Sequence, residues 1–497
     1  MLLDEFQYGN VSWLDIIVIL IAIWIVIYVI AIRVGKKYFA PYGPALLIKT
    51  QAGIRTIDKV SRTKFWDYFV SFFYYAVPVF GILTVILLIW EAFLILSIPK
   101  SSAVPLSYAL ALPGINPVIP IGYGVVGLIV AVALHEISHG IAARRSDIPL
   151  RSTGILWFII PVGAFVEPDE EVMKQREPKV RGKVFAAGPG MNLTLAAIFI
   201  VIALLLAYSI VPANGAPVQS SINPALRPGD IIQSVNNVSI ESVSALMSMS
   251  LTPGSIVPIS VIRDGKLLHE TTIYGVYIVG VVGGYPASDA GIEVGSIVLT
   301  IGGKSITNLS TFENVLSNYK AGQEVTITSL YNSSYHSYNV TLASKYNYLI
   351  SIGSSNPGVP RSYPFLGVQV DLLGVSPFDQ NAYLNTIRNP LSSGVLGFFY
   401  YLGLPFYYEM PLPSVLQSSL IASPIVLNLE YLSYWLFWLN FALGLTNILP
   451  LVPLDGGYVL LNIPFLQKNQ KLRNSIVAFV GLAVLFLIVW QLVIPRI

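Results

Sequence analysis

The chain alternates between long apolar stretches and one long region in which apolar and polar residues are mixed. Six stretches have the roughly 20 apolar residues that a membrane-crossing helix needs. They cover residues 13–33, 68–97, 118–142, 184–211, 431–453 and 475–495. Only 11% of all residues are charged, whereas soluble domains carry about 25%. The pattern therefore predicts a mainly α-helical polytopic membrane protein and disfavours six helices in a soluble core.

The basic residues predict which loops face the cytoplasm. Six spans leave three loops on one side, at about 33–64, 143–183 and 467–474, and these hold 19 of the 29 lysines and arginines. Short loops rich in Lys and Arg stay inside the cell, so both termini are expected outside. The first stretch does not resemble a cleaved signal peptide, because it is too long and is preceded by the acidic pair Asp4 and Glu5.

Residues 212–365 differ from the rest, because short apolar runs alternate with polar residues between Gly, Asn, Ser and Pro. This pattern predicts a largely β-stranded insert outside the membrane. A weak repeat relates Leu226-Arg-Pro-Gly-Asp-Ile-Ile232 to Ile292-Glu-Val-Gly-Ser-Ile-Val298. The two units resemble bacterial PDZ domains, at about 214–276 and 277–345, which makes the insert mixed α/β. PDZ domains can bind chain ends by strand addition. The alternative is that these two domains only block access or position other molecules, and both possibilities stay open.

Composition limits the available chemistry. There is no cysteine, and the four histidines are His135, His139, His269 and His336. Thiolate zinc sites and cysteine nucleophiles are therefore excluded. The net charge of +3 gives no basic stripe of the kind that nucleic-acid binding needs.

The third apolar stretch carries the candidate chemistry, in the sequence His135-Glu136-Ile-Ser-His139. Two histidines four residues apart lie on one helix face and can bind one zinc ion, with the intervening Glu as general base. The pair Arg144-Arg145 marks the membrane boundary, nine residues or about 13 Å along the helix from His135. A glutamate at that depth is costly, which makes it a functional hypothesis by default.

A catalytic zinc site needs three protein ligands and one open position. His269 and His336 lie in the insert and cysteine is absent, so the third ligand is expected to be a carboxylate. Asp455, at the inner end of the fifth stretch, is the preferred candidate. The other carboxylates are expected to be solvated or to lie near the ends of the second stretch: Glu167, Asp169, Glu170, Glu171, Glu91 and Asp67.

These motifs together resemble the site-2 protease family of intramembrane zinc metalloproteases. The resemblance rests on His135-Glu-x-x-His139 and on Asn447-x-x-Pro-x-x-Pro-Leu-Asp455-Gly-Gly. Ala187-Gly-Pro-Gly-Met-Asn192 resembles the Gly-Pro-x-x-Asn element of that family, and Pro161–Asp169 resembles its membrane-associated β-hairpin. The resemblance is strong over 118–211 and 431–466 and moderate over the insert.

The resemblance implies a zinc-dependent endopeptidase that cleaves transmembrane helices near the cytoplasmic side of the cell membrane. His135, His139 and Asp455 would hold Zn²⁺, with Glu136 as general base. Asn192 and Asn447 would donate to the oxyanion, unless they only make hydrogen bonds between helices. The substrates would be single-span membrane proteins, unwound and added as a strand to 161–167.

Two other functions are weaker. A non-catalytic scaffold or chaperone on a protease fold would not need the intact motif set. A metal transporter would need more carboxylates within the membrane and would not explain the insert.

The expected organisation has six regions. Segment 391–410 is apolar but would break the topology as a seventh span, so it is interpreted as re-entrant or interfacial. The regions are an N-terminal two-helix part at 1–117, the catalytic core helices with the hairpin at 118–211, the PDZ-like units at 212–276 and 277–365, a linker with the re-entrant segment at 366–430, and the C-terminal catalytic helix with the last helix at 431–497.

Overall fold

A computed structural model describes residues 13–35, 38–97, 105–158, 160–354, 357–407, 416–418 and 423–496. The chain forms two compact units. The first comprises Met1–Ala203 and Tyr431–Ile497, and the second comprises Leu204–Glu430.

The described residues of the first part of the chain form six α-helices and four strands. They are α1 (Trp13–Val34), β1 (Phe39–Tyr42), β2 (Ala45–Thr50), α2 (Ile54–Ser61), α3 (Phe65–Leu94), α4 (Ile121–Arg145), β3 (Leu150–Phe158), β4 (Ile160–Pro168), α5 (Glu170–Gln175) and α6 (Pro178–Ala207).

In the middle part, the described residues form fifteen strands and six short α-helices. They are β5 (Ile210–Pro212), β6 (Ala216–Ser221), β7 (Ile231–Val235), β8 (Val238–Ser239), α7 (Val243–Ser248), β9 (Ile256–Arg263), β10 (Lys266–Ile273), β11 (Val276–Val281), α8 (Pro286–Asp289), β12 (Ile297–Ile301), β13 (Lys304–Ser305), α9 (Leu309–Ser317), β14 (Glu324–Tyr331), β15 (Ser334–Thr341), β16 (Ala343–Ser344), α10 (Lys345–Ser351), β17 (Pro364–Phe365), β18 (Val368–Leu372), β19 (Val375–Pro377), α11 (Gln380–Arg388) and α12 (Val395–Tyr407). The last part contains β20 (Leu416–Ser418), α13 (Ser423–Ile448), α14 (Asp455–Leu461) and α15 (Gln470–Val493).

Four of the described helices, α3, α4, α6 and α15, are long and apolar enough to cross a membrane. They coincide with four of the six predicted spans. In α1, the described apolar part covers only Ile21–Val34. Helix α13 has 26 residues, but its Asn, Ser, Tyr and Trp side chains lower its hydropathy. The count of six spans and their orientation therefore stay predictions.

The helices of the first unit approach one another at small residues. A Cβ on Gly127 of α4 would lie 2.7 Å from Leu439 Cδ1 of α13. A Cβ on Gly444 of α13 would lie 3.3 Å from the Cβ of Asn192 on α6. Small residues at such crossings let apolar helices pack closely where no hydrophobic effect drives them together.

The predicted hairpin exists as the antiparallel pair of β3 and β4, within a four-stranded sheet of order β1-β2-β3-β4. Strands β1 and β2 and helix α2 fall where the sequence suggested only a loop, at 33–64. Strands of four and six residues are too short to show a pattern of their own. They form because β2 pairs with β3, more than 100 residues away.

The two six-stranded β-sheets of the second unit share an apolar core. Their strand orders are β10-β9-β7-β6-β19 and β15-β14-β12-β11-β18, with β8 and β13 attached to β7 and β12. The repeated motif precedes β7 in the first sheet and β12 in the second. Its glycines, Gly229 and Gly295, have φ of +89° and +93°, which side chains other than glycine rarely adopt.

The last strand of each sheet comes from a segment expected in the linker at 366–430. Strand β18 pairs with β11, and β19 pairs with β6. The linker boundary at 365 is therefore wrong, because residues 368–377 complete both sheets. Strands of five and three residues become recognisable only through partners that lie far away in sequence.

Segment 391–410 contains α12, a helix of 13 residues. At 1.5 Å per residue it extends about 20 Å, less than the apolar layer of a bilayer. The re-entrant or interfacial character of the segment stays a prediction. Residues 408–410 lie outside the described residues.

Candidate active site

The structure brings together His135, His139 and Asp455, as the sequence predicted. The His135 Nε2 atom lies 3.1 Å from Asp455 Oδ2, and His139 Nε2 lies 3.4 Å from the same oxygen. The two Nε2 atoms are 3.1 Å apart. Within the described residues, this is the one group of three or more His, Asp or Glu side chains with metal-site spacing.

Asp455 reaches this position because the chain folds back tightly after α13. Residues 449–454 connect α13 to α14, and Asp455 is the first residue of α14. A Cβ on Gly456 would collide with the carbonyl oxygen of Ile448, and one on Gly457 would lie 2.5 Å from the backbone nitrogen of Val452. The two glycines therefore allow the close backbone approach that places the carboxylate beside α4.

Hydrogen bonds on the far side of each ring orient both imidazoles. His135 Nδ1 lies 2.5 Å from Asn192 Oδ1, and His139 Nδ1 lies 2.8 Å from the carbonyl oxygen of Val184. The partner atoms, Asn192 Oδ1 and the Val184 carbonyl oxygen, are both acceptors. The Asn192 amide nitrogen is bonded to other groups. Each histidine Nδ1 therefore carries the proton. Each Nε2 then presents a lone pair toward Asp455, the arrangement found in histidine metal ligands.

The contacts of Asn192 fit an orienting role toward His135 and leave it no free amide hydrogen for an oxyanion. Its amide nitrogen donates to the Ala131 carbonyl oxygen and to Asn440 Oδ1, both at 3.0 Å. Both amide hydrogens are thus used, and none is left for a reacting oxygen. The alternative reading, hydrogen bonding between helices, describes the contacts of Asn192.

Asn440 is a functional residue that the sequence reasoning missed. It is fully buried, and its amide nitrogen donates to the Leu436 carbonyl oxygen at 2.7 Å while its Oδ1 accepts from Asn192. The hydrogen-bonded chain therefore runs from α13 through α6 to His135 on α4. An amide in the middle of an apolar helix is itself a signal, and this one could have been found.

Asn447 lies outside the hydrogen-bond network of the cluster. Its amide nitrogen donates to the Leu443 carbonyl oxygen of its own helix at 3.0 Å. This bond uses one of the two amide hydrogens of Asn447. The role of Asn447 as an oxyanion donor stays a prediction.

Glu136 lies on the face of α4 that packs against β4. Val132 and Gly140 are four residues before and after it, on the same helix face. A Cβ on Gly163 would be 3.6 Å from Val132 Cγ1, and a Cβ on Gly140 would be 2.7 Å from Val166 Cγ1. Glu136 is partly buried, follows His135 directly in sequence, and stands on the face of α4 that packs against β4.

The donor set fits a zinc ion. Ligands at about 2.0–2.1 Å from a tetrahedral zinc are about 3.3 Å apart, and the three separations here are 3.1, 3.1 and 3.4 Å. Two neutral imidazoles and a carboxylate are ligands that catalytic zinc sites use. The backbone of α6 also leaves space there, because a Cβ on Gly188 would lie 2.6 Å from His135 Nε2.

The other carboxylates near the hairpin are committed to basic partners. Glu167 Oε2 pairs with Lys49 Nζ at 2.8 Å and accepts from the Ser152 hydroxyl. Asp169 caps α5, and its pairing with the Arg151 guanidinium lowers the pKa of that carboxyl. Neither group joins the metal-ligand cluster, as the sequence analysis expected, although both are paired rather than freely solvated.

Comparisons with known proteins identify the family of the chain. The chain is 30% identical to an uncharacterized protein of Methanocaldococcus jannaschii over 262 residues, which cover 51% of this chain and 68% of that protein. The PDZ domain of an SdrC-like protein from Listeria monocytogenes matches with 19% identity and a TM-score of 0.16, over 20% of this chain and 92% of that domain. The model of peptidase family M50 matches residues 123–488. The chain therefore belongs to peptidase family M50, the site-2 protease family.

Proposed function

We propose that this membrane peptidase is a zinc-dependent endopeptidase that cleaves transmembrane substrates within the membrane, near its cytoplasmic side. The observation that carries the proposal is the convergence of two Nε2 lone pairs and Asp455 beside Glu136. His135, Glu136 and His139 lie on α4, which is long and apolar enough to span a membrane, and Asp455 is the first residue of α14. A zinc ion bound there would polarise a peptide carbonyl and make water more acidic.

The side chains around the proposed zinc site have different roles in the reaction. Glu136 takes the proton of the attacking water and later delivers it to the leaving amine, the usual role of a general acid–base. Asn192 and Asn440 keep the His135 ring in its tautomer. Asn447 remains the candidate for stabilising the oxyanion.

The open edge of β4 is the proposed site for the unwound substrate. Within the described residues, β4 is the last strand of its sheet, and β3 lies on its other side. A chain added there would satisfy its backbone groups by strand pairing, as extended peptides do on sheet edges. Because Glu136 stands on the face of α4 that packs against β4, a carbonyl on that edge would come close to the general base.

The orientation belongs to the same proposal. Arg144 and Arg145 end α4 about two turns beyond His139, and the loops on that side hold most of the basic residues. The site would then lie toward the cytoplasm, with the insert and both termini outside. The two modules of the insert would either bind a peptide or chain end, or exclude substrates with large ectodomains.

The decisive experiment is the substitution Glu136→Gln in the full chain, reconstituted in vesicles with single-span substrates. Loss of a general acid–base removes about 10²–10⁴-fold of rate, while bound zinc stays at one per chain. Glu177→Gln, at an exposed position, is the matched control and should cleave normally. Full activity of Glu136→Gln would disprove the proposal.

A second experiment separates the two roles of the insert. Because β18 and β19 complete the sheets, the deletion should remove 212–377 and not stop at 365. If the modules exclude large ectodomains, the deleted protein cleaves bulky and trimmed substrates at similar rates. If they bind chain ends, the deletion slows cleavage of trimmed substrates instead.

A further inference from the structure

Three basic residues surround one carboxylate where several helices of the first unit begin or end. Arg145, at the end of α4, pairs with Asp67 in the first turn of α3. Lys64, just before α3, and Lys183, near the start of α6, also act on the Asp67 charge. We name Lys64, Asp67, Arg145 and Lys183 the Asp67 cluster.

The Asp67 cluster has an excess of positive charge that the protein does not neutralise. Lys183 Nζ donates to the Ser71 hydroxyl at 2.8 Å, which is a neutral partner. Over the described ranges, neither Lys183 nor Lys64 forms an ion pair, and the single carboxylate is taken by Arg145. Two ammonium groups beside one neutral ion pair favour an anionic ligand.

An exposed aromatic face on α3 adjoins the cluster. Phe65, Tyr68, Phe72 and Tyr75 are 59, 76, 64 and 61% exposed. Their spacing of three or four residues places them on one side of the helix. Lys179 Nζ lies 5.6 Å from the centre of the Tyr75 ring. Aromatic rings next to lysines at the end of a spanning helix are typical of the headgroup level of a bilayer.

We propose that the Asp67 cluster and this aromatic face bind one anionic phospholipid. Lys64 and Lys183 would hold the phosphate as point charges, and the aromatic face would contact the glycerol backbone and the first part of an acyl chain. Charge complementarity selects the ligand, because anionic lipids attract basic residues next to a spanning helix. The proposal depends on membrane insertion but not on catalysis.

The test measures lipid binding to the purified full chain in detergent by native mass spectrometry. Phosphatidylglycerol is titrated against phosphatidylcholine of the same acyl length. Each lysine near a membrane surface contributes about a fivefold preference for anionic lipid. The variant K64Q/K183Q should therefore lose at least about fivefold in phosphatidylglycerol affinity while its phosphatidylcholine binding is unchanged.

The control K266Q/K304Q removes the same charge from exposed positions of the second unit and should bind like the unmodified protein. Equal losses in both double variants, or no loss in K64Q/K183Q, would overturn the proposal. If K64Q/K183Q does not fold, the single variant K64Q, at an exposed position before α3, must still show the selective loss.

Inorganic phosphate is tested at matched ionic strength to separate a lipid from a free anion. The lipid proposal requires that phosphate compete weakly, because it cannot use the aromatic face. Displacement of phosphatidylglycerol by millimolar phosphate would assign the cluster to a free anion and overturn the lipid proposal.

Discussion

The two units differ in how they satisfy polar groups in their interiors. In the first unit, His135 bonds to Asn192 and Asn192 bonds to Asn440, partners that are 57 and 248 residues apart. In the second unit, Asp230 is 1% exposed and pairs with Arg263, 33 residues away, at 2.7 and 2.8 Å. Ser296 stands at the corresponding position of the second repeat, and its hydroxyl has no partner among the described residues.

The difference has a physical cause. Inside a membrane, each helix satisfies its own backbone. A polar side chain there bonds either to a carbonyl oxygen of its own helix, as Asn440 does with Leu436, or to a partner on another helix, as Asn192 does with Ala131 and Asn440. Such a partner serves one arrangement only, here the orientation of His135. In a β-sheet module, partners come from neighbouring strands, and an apolar core can replace an ion pair at little cost. The polar network of the first unit therefore indicates function, and that of the second indicates local stability.

The largest expected effect is the loss of metal binding when Asp455 is replaced. Asp455→Asn removes the negative charge from the three-ligand group. Loss of a residue that only hydrogen-bonds to a ligand lowers metal affinity by up to about 100-fold, so the loss of a ligand charge should lower zinc affinity by more than that. Zinc content by mass spectrometry and cleavage should both be lost. Retention of one zinc per chain would show that Asp455 is not a ligand.

The next effect concerns the buried ion pair of the second unit. Asp230→Ala removes both short hydrogen bonds to Arg263 and leaves it only the longer, more exposed pair with Glu270 at 3.7 Å. This change should destabilise the first module by about 3 kcal/mol. Ser296→Ala, at the matching position of the second module, should be neutral or slightly stabilising, because it removes a buried hydroxyl without a partner. Hydrogen exchange of β7 and β12 in the full chain measures both. Similar destabilisation by both variants would contradict the difference proposed between the paired Asp230 and the Ser296 hydroxyl.

A smaller effect is expected from the network around His135. Asn192→Leu keeps the side-chain size but leaves His135 Nδ1 without an acceptor, so zinc affinity should fall about 10- to 100-fold. Asn440→Leu should show a weaker loss in the same direction. Asn447→Leu, whose amide bonds only within α13, should keep zinc affinity and is the control. Unchanged zinc affinity of the Asn192→Leu variant would show that Asn192 does not position His135 for metal binding.

The smallest effect is a pH dependence within the second unit. Burial raises the pKa of Asp371 on β18 to about 6, from the usual 3.8. The folded module then holds a proton that the unfolded chain releases. Its stability should be greatest below about pH 4 and fall as the pH rises toward 6, by about 1 kcal/mol after allowance for solvent screening. Asp371→Asn should abolish the slope in hydrogen exchange of β18, and a persistent slope would assign it to another group.

The four helices that are long and apolar enough to span a membrane could be predicted, because about 20 apolar residues leave no alternative to a helix in a bilayer. The three candidate metal ligands could be predicted because His135 and His139 share a helix face and the absence of cysteine left a carboxylate as the third candidate. Strands β2, β18 and β19 could not, since each pairs with a strand far along the chain, and β1 pairs with β2 at the edge of the same sheet.

The role of Asn192 shows the same limit within the site. Its position in a recognisable motif predicted importance, but the donor and acceptor roles of an amide depend on what surrounds it. With Ala131 and Asn440 taking both of its hydrogens, only its oxygen faces the cluster, and this makes it an orienting residue.

The sequence by itself determined the membrane class, the helix that carries His135, Glu136 and His139, and the repeat that makes up the insert. These follow from local periodicity and composition, which every short segment carries. Only the tertiary structure decided that Asp455 meets both histidines, that the helix face carrying Glu136 packs against β4, and that residues 368–377 complete two sheets. Those facts depend on contacts between segments tens to hundreds of residues apart, and no local pattern encodes which of many possible contacts the folded chain makes.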